Sequence, residues 1–391
     1  MKNKKYIIIN FLHGNSPYLR TTELAVAVNN LLEKQGRDRC GIIIPLAYGK
    51  RQEEIMKTNF KSIIEQHPDE LLFSKELGAI IHSIIYSGES YNQTLEHFLR
   101  EYESTEKAAQ ELIARGFTVY TPDGKEVNIN SKDIIMEINR CPQISFGISK
   151  SYFTGFDYIS EVLRQGLKDN SLSIRNELLE KAIPLYDSIE DRQTLHFIAE
   201  PAIFSYLGNR PRKYETETLT PPNTNQLELL QDEIQDDVGK GIYVTITGVP
   251  GLEHLFKAVH DMGLTVYTHR PDLIPGSRKA FPGIITHPNI ILHVARSGWG
   301  SVWLSLLTKT PFIALPYNER DDLEIYFNNI SIEALGMAKL YIGQPIEELL
   351  KFGEEYKENA ERIKNQLLEK YGTINGVEYT AKKIVNNYLG T

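Results

Sequence analysis

The chain has 391 residues, 41% hydrophobic and 24% charged, with a formal net charge of −8 at pH 7. That length exceeds one ordinary core, so two domains are expected, and the acidic balance excludes a general nucleic-acid binder, whose phosphate-facing surface must be basic. Two cysteines, Cys40 and Cys141, are too few for a disulfide scaffold or a cysteine-rich metal site.

The amino-terminal MKNKKYIIINFLHG has a short apolar run broken by Asn10 and no small-residue cleavage site, so it reads as structure rather than a secretory signal. Its Tyr6-Ile7-Ile8-Ile9 predicts a strand buried on both faces of a parallel sheet. A polar loop over 13–18 follows. A helical pattern then runs from Thr21 to Lys34 and stops at Gly36, and Gly41 to Pro45 is the next strand. Farther on, the spacing predicts a long helix from about Tyr91 to Arg115 and a strand or hairpin around Phe117 to Val127. Strands are expected near Ile134 to Ile138 and Ile144 to Phe146, and several helices over 159–207.

Residues 215–240 combine a Pro-Pro, an Asn-Thr-Asn and an acidic run, the composition of a linker. The expected domains are therefore 1–214 and 241–391, with the last helix free to pack back on the first domain. The second half alternates clearly. Ile242 to Ile246, Leu264 to Tyr267, Ile290 to Val294, Phe312 to Leu315 and Ala338 to Ile342 read as strands. Leu252 to Met262, Val302 to Leu307 and Leu323 to Leu335 read as helical. Such alternation implies a parallel sheet covered by helices on both faces. No run of about eighteen apolar residues, the length of a membrane span, occurs. The expectation is a soluble, cytoplasmic protein. The cluster Lys2, Lys4 and Lys5 leaves a peripheral membrane contact open, and self-association is open as well.

Ligands of parallel sheets bind in the loops that follow the strands. One such loop is unusual: the apolar run ending at Val294 empties into Arg296-Ser297-Gly298-Trp299-Gly300-Ser301 just before a helical pattern. Glycines admit close backbone approach, a helix start attracts anions, and arginine offers a fork suited to phosphate. Serines 297 and 301 add hydroxyls. The pattern points to a phosphate or diphosphate; the plainer reading is a tight turn with Ser301 as an N-cap.

From His287 to Pro316, HPNIILHVARSGWGSVWLSLLTKTPFIALP resembles, without a gap, the donor-binding signature of family 1 glycosyltransferases, the UDP-glycosyltransferases. His287, Pro288, Val294, Gly298, Trp299, Ser301, Pro311 and Pro316 fall in register with that signature. The resemblance implies the glycosyltransferase B fold, two Rossmann-like α/β domains facing across a cleft. It also implies transfer of a sugar from a nucleotide-diphosphate sugar, UDP by default, without a cofactor and without a metal, to an acceptor the sequence does not identify. Donor contacts would come from His287 and residues 296–301. The sugar grip corresponds loosely to the run 318–322, with Asp321 and Asp322. Departures are Arg296 in place of the family's phosphate-contacting histidine, Gly300 in place of an asparagine, and Leu304 in place of the glutamate that holds the ribose. The family's uracil-stacking tryptophan has no counterpart in 271–285.

By the same resemblance, His13, after the first strand, corresponds to the general base, in a loop one residue longer than the family's. A near-neutral imidazole suits that task. Thr247 and Gly248, in a Gly turn between strand and helix, correspond to a second donor loop, and His269 and Arg270 end the next strand. The ten histidines show no metal-binding spacing. Two alternatives stay open: a sugar-nucleotide epimerase of the same fold, and an inactive relative that binds a ligand or partner.

Overall fold

The computed structural model describes residues 4–12, 14–85, 88–207, 237–245 and 251–390. Two compact units form. The first runs to Ala199 and takes in the segment from Val377 onward; the second begins at Glu200 and ends at Gly376. The linker expected at 215–240 falls, as far as residue 236, outside the described residues.

The first unit contains β1 (Tyr6–Phe11), α1 (Asn15–Lys34), β2 (Gly41–Pro45), α2 (Gly49–Asn59), α3 (Lys61–Gln66), β3 (Leu71–Ser74), α4 (Lys75–His82) and α5 (Tyr91–Arg115). It continues with β4 (Phe117–Tyr120), β5 (Glu126–Ile129), β6 (Ile134–Arg140), β7 (Ser151–Gly155), α6 (Ile159–Lys168), α7 (Asn176–Asp191) and β8 (Leu195–Ile198). Its eight-stranded sheet has the order β5-β4-β3-β2-β1-β6-β7-β8. All pairings from β3 to β8 are parallel, and β4 and β5 add an antiparallel hairpin at one edge. Ile7, Ile8 and Ile9 are fully buried, each contributing roughly 1.5–3 kcal/mol of apolar burial. Helix α5 buries Tyr91, Leu95, Phe98, Tyr102, Ala109 and Leu112 along one stripe and is capped by Ser90, whose hydroxyl accepts from the Gln93 N–H.

Two expectations fail here. Residues 144–146 form no strand. Side chains take their backbone groups instead: Asn10 donates to the Ile144 carbonyl, the Ser145 N–H donates to Glu106, and Gln110 donates to the Ser145 carbonyl. The stretch 159–207 is not all helical, because Leu195–Ile198 pairs in parallel with β7 as the edge strand β8.

A polar network lies within this core. Asn10 donates to Glu137 at 2.9 Å, Asn139 donates to Ser151 at 3.0 Å and Gln193 at 2.8 Å, and the Ser151 hydroxyl donates to Gln193 at 2.6 Å. The Oε2 atom of Glu137 is buried with no hydrogen-bond partner among the described residues. Burial pushes this carboxyl up to about 7, against the hydrogen bonds from Asn10, Ser151 and Asn139 that favour the anion.

The second unit contains β9 (Gly241–Val244), α8 (Glu253–Asp261), β10 (Thr265–Thr268), β11 (Arg278–Lys279), β12 (Ile290–Ala295) and α9 (Trp299–Thr308). It continues with β13 (Phe312–Ala314), α10 (Leu323–Ala334), β14 (Lys339–Leu340) and α11 (Ile346–Tyr371). The chain ends in α12 (Gly376–Leu389), whose Asn387 accepts from the Tyr152 hydroxyl on β7. The second sheet is six-stranded and wholly parallel, in the order β11-β10-β9-β12-β13-β14. At its start Gly241 is required, because a Cβ there would lie 2.0 Å from the Thr265 carbonyl oxygen. Numbered within its unit, the second sheet carries the doubly wound order 3-2-1-4-5-6, and the first carries the same order over its six parallel strands, β3-β2-β1-β6-β7-β8, with the β4–β5 hairpin added at the β3 edge. No described helix is long and apolar enough to cross a membrane.

Candidate functional site

The order of the second sheet reverses between β9 and β12. Loops at the carboxyl ends of two such strands run to opposite sides and leave a crevice. The loop after β9, with Thr247 and Gly248, lies outside the described residues. The loop after β12 is described.

Strand β12 is held by burial and by one internal histidine. Leu292 and Val294 are fully buried, and His293 beside them is 1% exposed. Its Nδ1 lies 2.7 Å from the Ser305 hydroxyl on α9, and its Nε2 lies 3.3 Å from Thr245 Oγ1 after β9. Burial pushes its pKa down to about 3, so the ring is neutral and ties β12 to both neighbours.

Helix α9 begins at Trp299 with Gly298 in the N-cap position and no side-chain cap. Ser301 lies inside the helix, its N–H bonded to the Gly298 carbonyl at 2.9 Å, so it is not the N-cap. The N–H groups of Trp299 and Gly300 have no partner among the described residues. Gly298 has φ −64°, a value any residue adopts, and a Cβ there would meet nothing within 4 Å. No described residue covers the approach to the helix start.

Three side chains fasten this loop to α10 and the turn before it. Arg296 forms an ion pair with Asp321. Asn328, fully buried, accepts from the Trp299 indole at 2.6 Å and donates to the Ser297 carbonyl at 2.8 Å. The Ser297 hydroxyl, also buried, donates to the Ile325 carbonyl at 3.3 Å. Trp299 is 1% exposed and packs on Trp303 with ring centroids 5.8 Å apart. Ser297 and Trp299 therefore hold the loop from inside, while Arg296, Gly298, Gly300 and Ser301 stay partly exposed.

Asp321 accepts both from Arg296 and from the Asn318 N–H at 3.0 Å. Burial raises its pKa, and the Arg296 charge opposes that rise. One arm of the Arg296 fork is engaged in the pair; its other N–H groups have no partner among the described residues. Asp322 occupies the N-cap position of α10.

Other expected residues fall elsewhere. His287 stands at the amino end of β12, where its carbonyl accepts from the Ile290 N–H. At about 3.3 Å per residue, the six-residue strand puts it roughly 20 Å from the loop, so the fold does not bring it to residues 296–301. Leu304, where the resembling family keeps its ribose glutamate, packs against the cluster of Tyr243, Tyr267, Ile284, Ile285 and Ile290. Arg270 is exposed and pairs with Asp272 at 2.7 Å.

In the first unit the sheet reverses between β1 and β6. His13 lies outside the described residues. Next to it in sequence, Gly14 has φ 105°, and its N–H donates to the Tyr48 hydroxyl. The end of β6 and the loop after it hold residues that sequence reasoning passed over. Arg140 is 4% exposed with its guanidinium 4.7 Å from the centre of the Phe156 ring, and Cys141 is held at φ 44°. Their signal was close to the one read at Arg296: a buried strand that runs out at an arginine.

No protein-family model matches the chain, and no curated protein matches it in sequence. Solved structures match it in fold. The glycotransferase of kitacinnamycin aligns over 99% of this chain and 100% of its own, with a TM-score of 0.60 at 10% identity. A UDP-glucosyltransferase from Polygonum tinctorium, capable of glucosylating indoxyl, aligns over 99% of both chains with a TM-score of 0.59 at 12% identity. The glycosyltransferase SnogD from Streptomyces nogalater aligns over 99% of this chain and 100% of its own, with a TM-score of 0.57 at 13% identity. The chain thus has the glycosyltransferase B fold along its whole length.

Proposed function

We propose that the protein is a glycosyltransferase that binds a nucleotide-diphosphate sugar, UDP-linked by default, at the loop after β12. The observation that carries this reading is the uncapped start of α9 beside the half-free fork of Arg296. Two unbonded N–H groups, the helix dipole and a guanidinium converge there, and a diphosphate satisfies all three. The loop sits at the reversal of a doubly wound sheet, where such folds take their ligands.

In the proposed reaction an acceptor hydroxyl oxygen attacks the anomeric carbon as the bond to the diphosphate breaks. The nucleoside diphosphate leaves with the bonding electrons, and its new charge is stabilised by α9 and Arg296. A single displacement inverts the anomeric centre. The acceptor proton passes to a base, assigned by sequence resemblance to His13. Asp321 and Asp322 border the diphosphate loop, where the donor's sugar hydroxyls would need acceptors. Charge stabilisation here comes from the chain itself, so the proposed step uses no cofactor and no metal.

A second reading, a nucleotide-binding protein without transfer, is favoured by Leu304, whose side chain packs in an apolar cluster and offers the ribose no acceptor. The test is a panel of UDP-, dTDP- and GDP-sugars followed by thermal melting and by release of free nucleotide diphosphate. Stabilisation with release supports a transferase, since a bound ligand raises the melting temperature by mass action. Stabilisation without release at any acceptor supports the binder. If no nucleotide shifts the melt, both readings fail.

A further inference from the structure

The first unit carries a cavity of about 610 Å³ at the amino ends of its central strands. Lys4 and Lys5 precede β1 there, the turn from Arg37 to Cys40 joins α1 to β2, and Tyr388 lies near the end of α12. The six residues of β1 put it roughly 20 Å from the loop that follows that strand. The cavity takes no part in the chemistry proposed above.

Its size lies within the range of small-molecule sites, roughly 300–1,000 Å³, and its walls divide about evenly between apolar and polar surface. Leu32, Ile135 and the Tyr388 ring form the apolar part. The charged part is basic: Lys4, Lys5, Arg37 and Arg39 against Asp38, in a chain whose net charge is −8.

Partners sort these cations. Arg39 is fully engaged, with Glu70 at 2.6 and 2.9 Å and Glu33 at 3.0 Å. Lys5 pairs with Asp133 at 2.8 Å. Among the described residues Lys4 donates only to a neutral group, the Asp69 carbonyl at 2.6 Å. Desolvation lowers its pKa although Asp69 and Glu70 act in the opposite sense. The Arg37 guanidinium is exposed and has no side-chain partner among the described residues. Among the described residues neither Arg37 nor Lys4 forms an ion pair, and both stand on one concave wall beside an apolar floor.

We infer that this cavity binds a small amphiphilic anion, its apolar or aromatic body on Leu32, Ile135 and Tyr388 and its phosphate or carboxylate on Arg37 and Lys4. Arginine's planar fork matches either head group, and lysine adds a point charge. Such a ligand lies against the turn between α1 and β2 and against α12, and so links both to β1.

The probes are phenyl phosphate and benzoate, titrated by calorimetry into the full chain, with phenol as the uncharged control. Each titration is repeated with saturating UDP and with Arg296→Ala, which separate this cavity from the loop after β12. Phenyl phosphate or benzoate should bind in all three backgrounds, and phenol should not. Whichever anion binds more tightly identifies the head group. Arg37→Ala and Lys4→Met should each weaken binding by about ten- to a hundredfold, the loss of one charge-assisted bond. Both positions are exposed, so the fold should tolerate the changes. The inference is overturned if neither anion binds, if both variants bind like the parent, or if UDP or Arg296→Ala removes the signal.

Discussion

Replacing Arg296 with alanine tests the donor loop directly, and the size of the effect follows from what Arg296 now touches. Its side chain is 35% exposed and that of Asp321 is 10% exposed, so water still screens the pair, which contributes about 0–1 kcal/mol. A charge-assisted bond from arginine to a diphosphate contributes about 1.5–3 kcal/mol. The diphosphate therefore wins the guanidinium from Asp321. At about 1.4 kcal/mol per factor of ten, Arg296→Ala should weaken UDP binding by about ten- to a hundredfold. Asp321→Asn removes the competitor instead and should tighten UDP binding by up to about fivefold, the whole value of the screened pair. Calorimetric titration of UDP against parent, both single variants and the double variant measures these signs, with circular dichroism melts to verify folding. An unchanged affinity in Arg296→Ala refutes the phosphate assignment. Equal weakening by both single variants refutes it differently, showing that the ion pair only props up the loop.

His13→Ala should reduce nucleotide-sugar turnover by about 10²–10⁴, the usual contribution of a general base, while UDP affinity stays nearly constant; loss of both together makes His13 a donor-site or structural residue. Leu304→Glu should not create a ribose contact. It inserts a carboxylate beside Tyr243 and Tyr267 and should lower stability by roughly 1–3 kcal/mol, and a variant that keeps its melting temperature and binds UDP more tightly disproves that packing argument. Glu137 should make the first unit less stable as pH rises. Its carboxyl stays protonated in the folded chain up to about 7, whereas an ordinary glutamate ionises near 4.3. The unfolded chain therefore loses its proton first, and the folded state falls behind by about 1.4 kcal/mol per pH unit across that window. Glu137→Gln should flatten this part of the denaturant-stability profile, and an unaltered profile rules the argument out. His293 should act with the opposite sign in the second unit. Its folded pKa is pushed down to about 3, so stability is lost as pH falls below about 6.5, a loss that His293→Asn should reduce.

What was legible in the sequence follows from which forces act locally. The runs at Ile7 to Ile9 and Ile42 to Ile44 are apolar without alternation because both faces of each strand are covered, and that is visible from composition alone. Helix α5 announces itself by its apolar stripe and by Gly116, held at φ 81° just past its end. Strand β8 is hidden. It is four residues long, contains His196 and follows two helices, so only its pairing with β7 makes it a strand. Residues 144–146 deceived in the other direction, since their alternation is satisfied by side chains of Asn10, Glu106 and Gln110 from remote elements. In the site, the loop itself was readable from its glycines and its arginine. Its supports were not, because Asp321 and Asn328 arrive from 25 and 29 positions downstream of Arg296 and Trp299. The available signal was a paired asparagine, 328–329, inside the apolar helix α10, since a buried polar residue is more informative than an exposed apolar one.

The two reversal points show how far that kind of signal reaches. In each sheet the first strand of the return leads to an arginine: β6 ends at Arg140, and β12 is followed directly by Arg296. In sequence the two endings look alike. In the fold, Arg140 is 4% exposed and lies over the Phe156 ring, and the residue after it, Cys141, sits at φ 44° rather than opening a helix. Arg296 keeps part of its fork open and is followed within three residues by an uncapped helix start. An anion gains from backbone donors only in the second case, because only there do unbonded N–H groups point along a helix axis. The arginine at a strand's end therefore marks both reversal points, and the helix start beside it selects the one suited to a diphosphate.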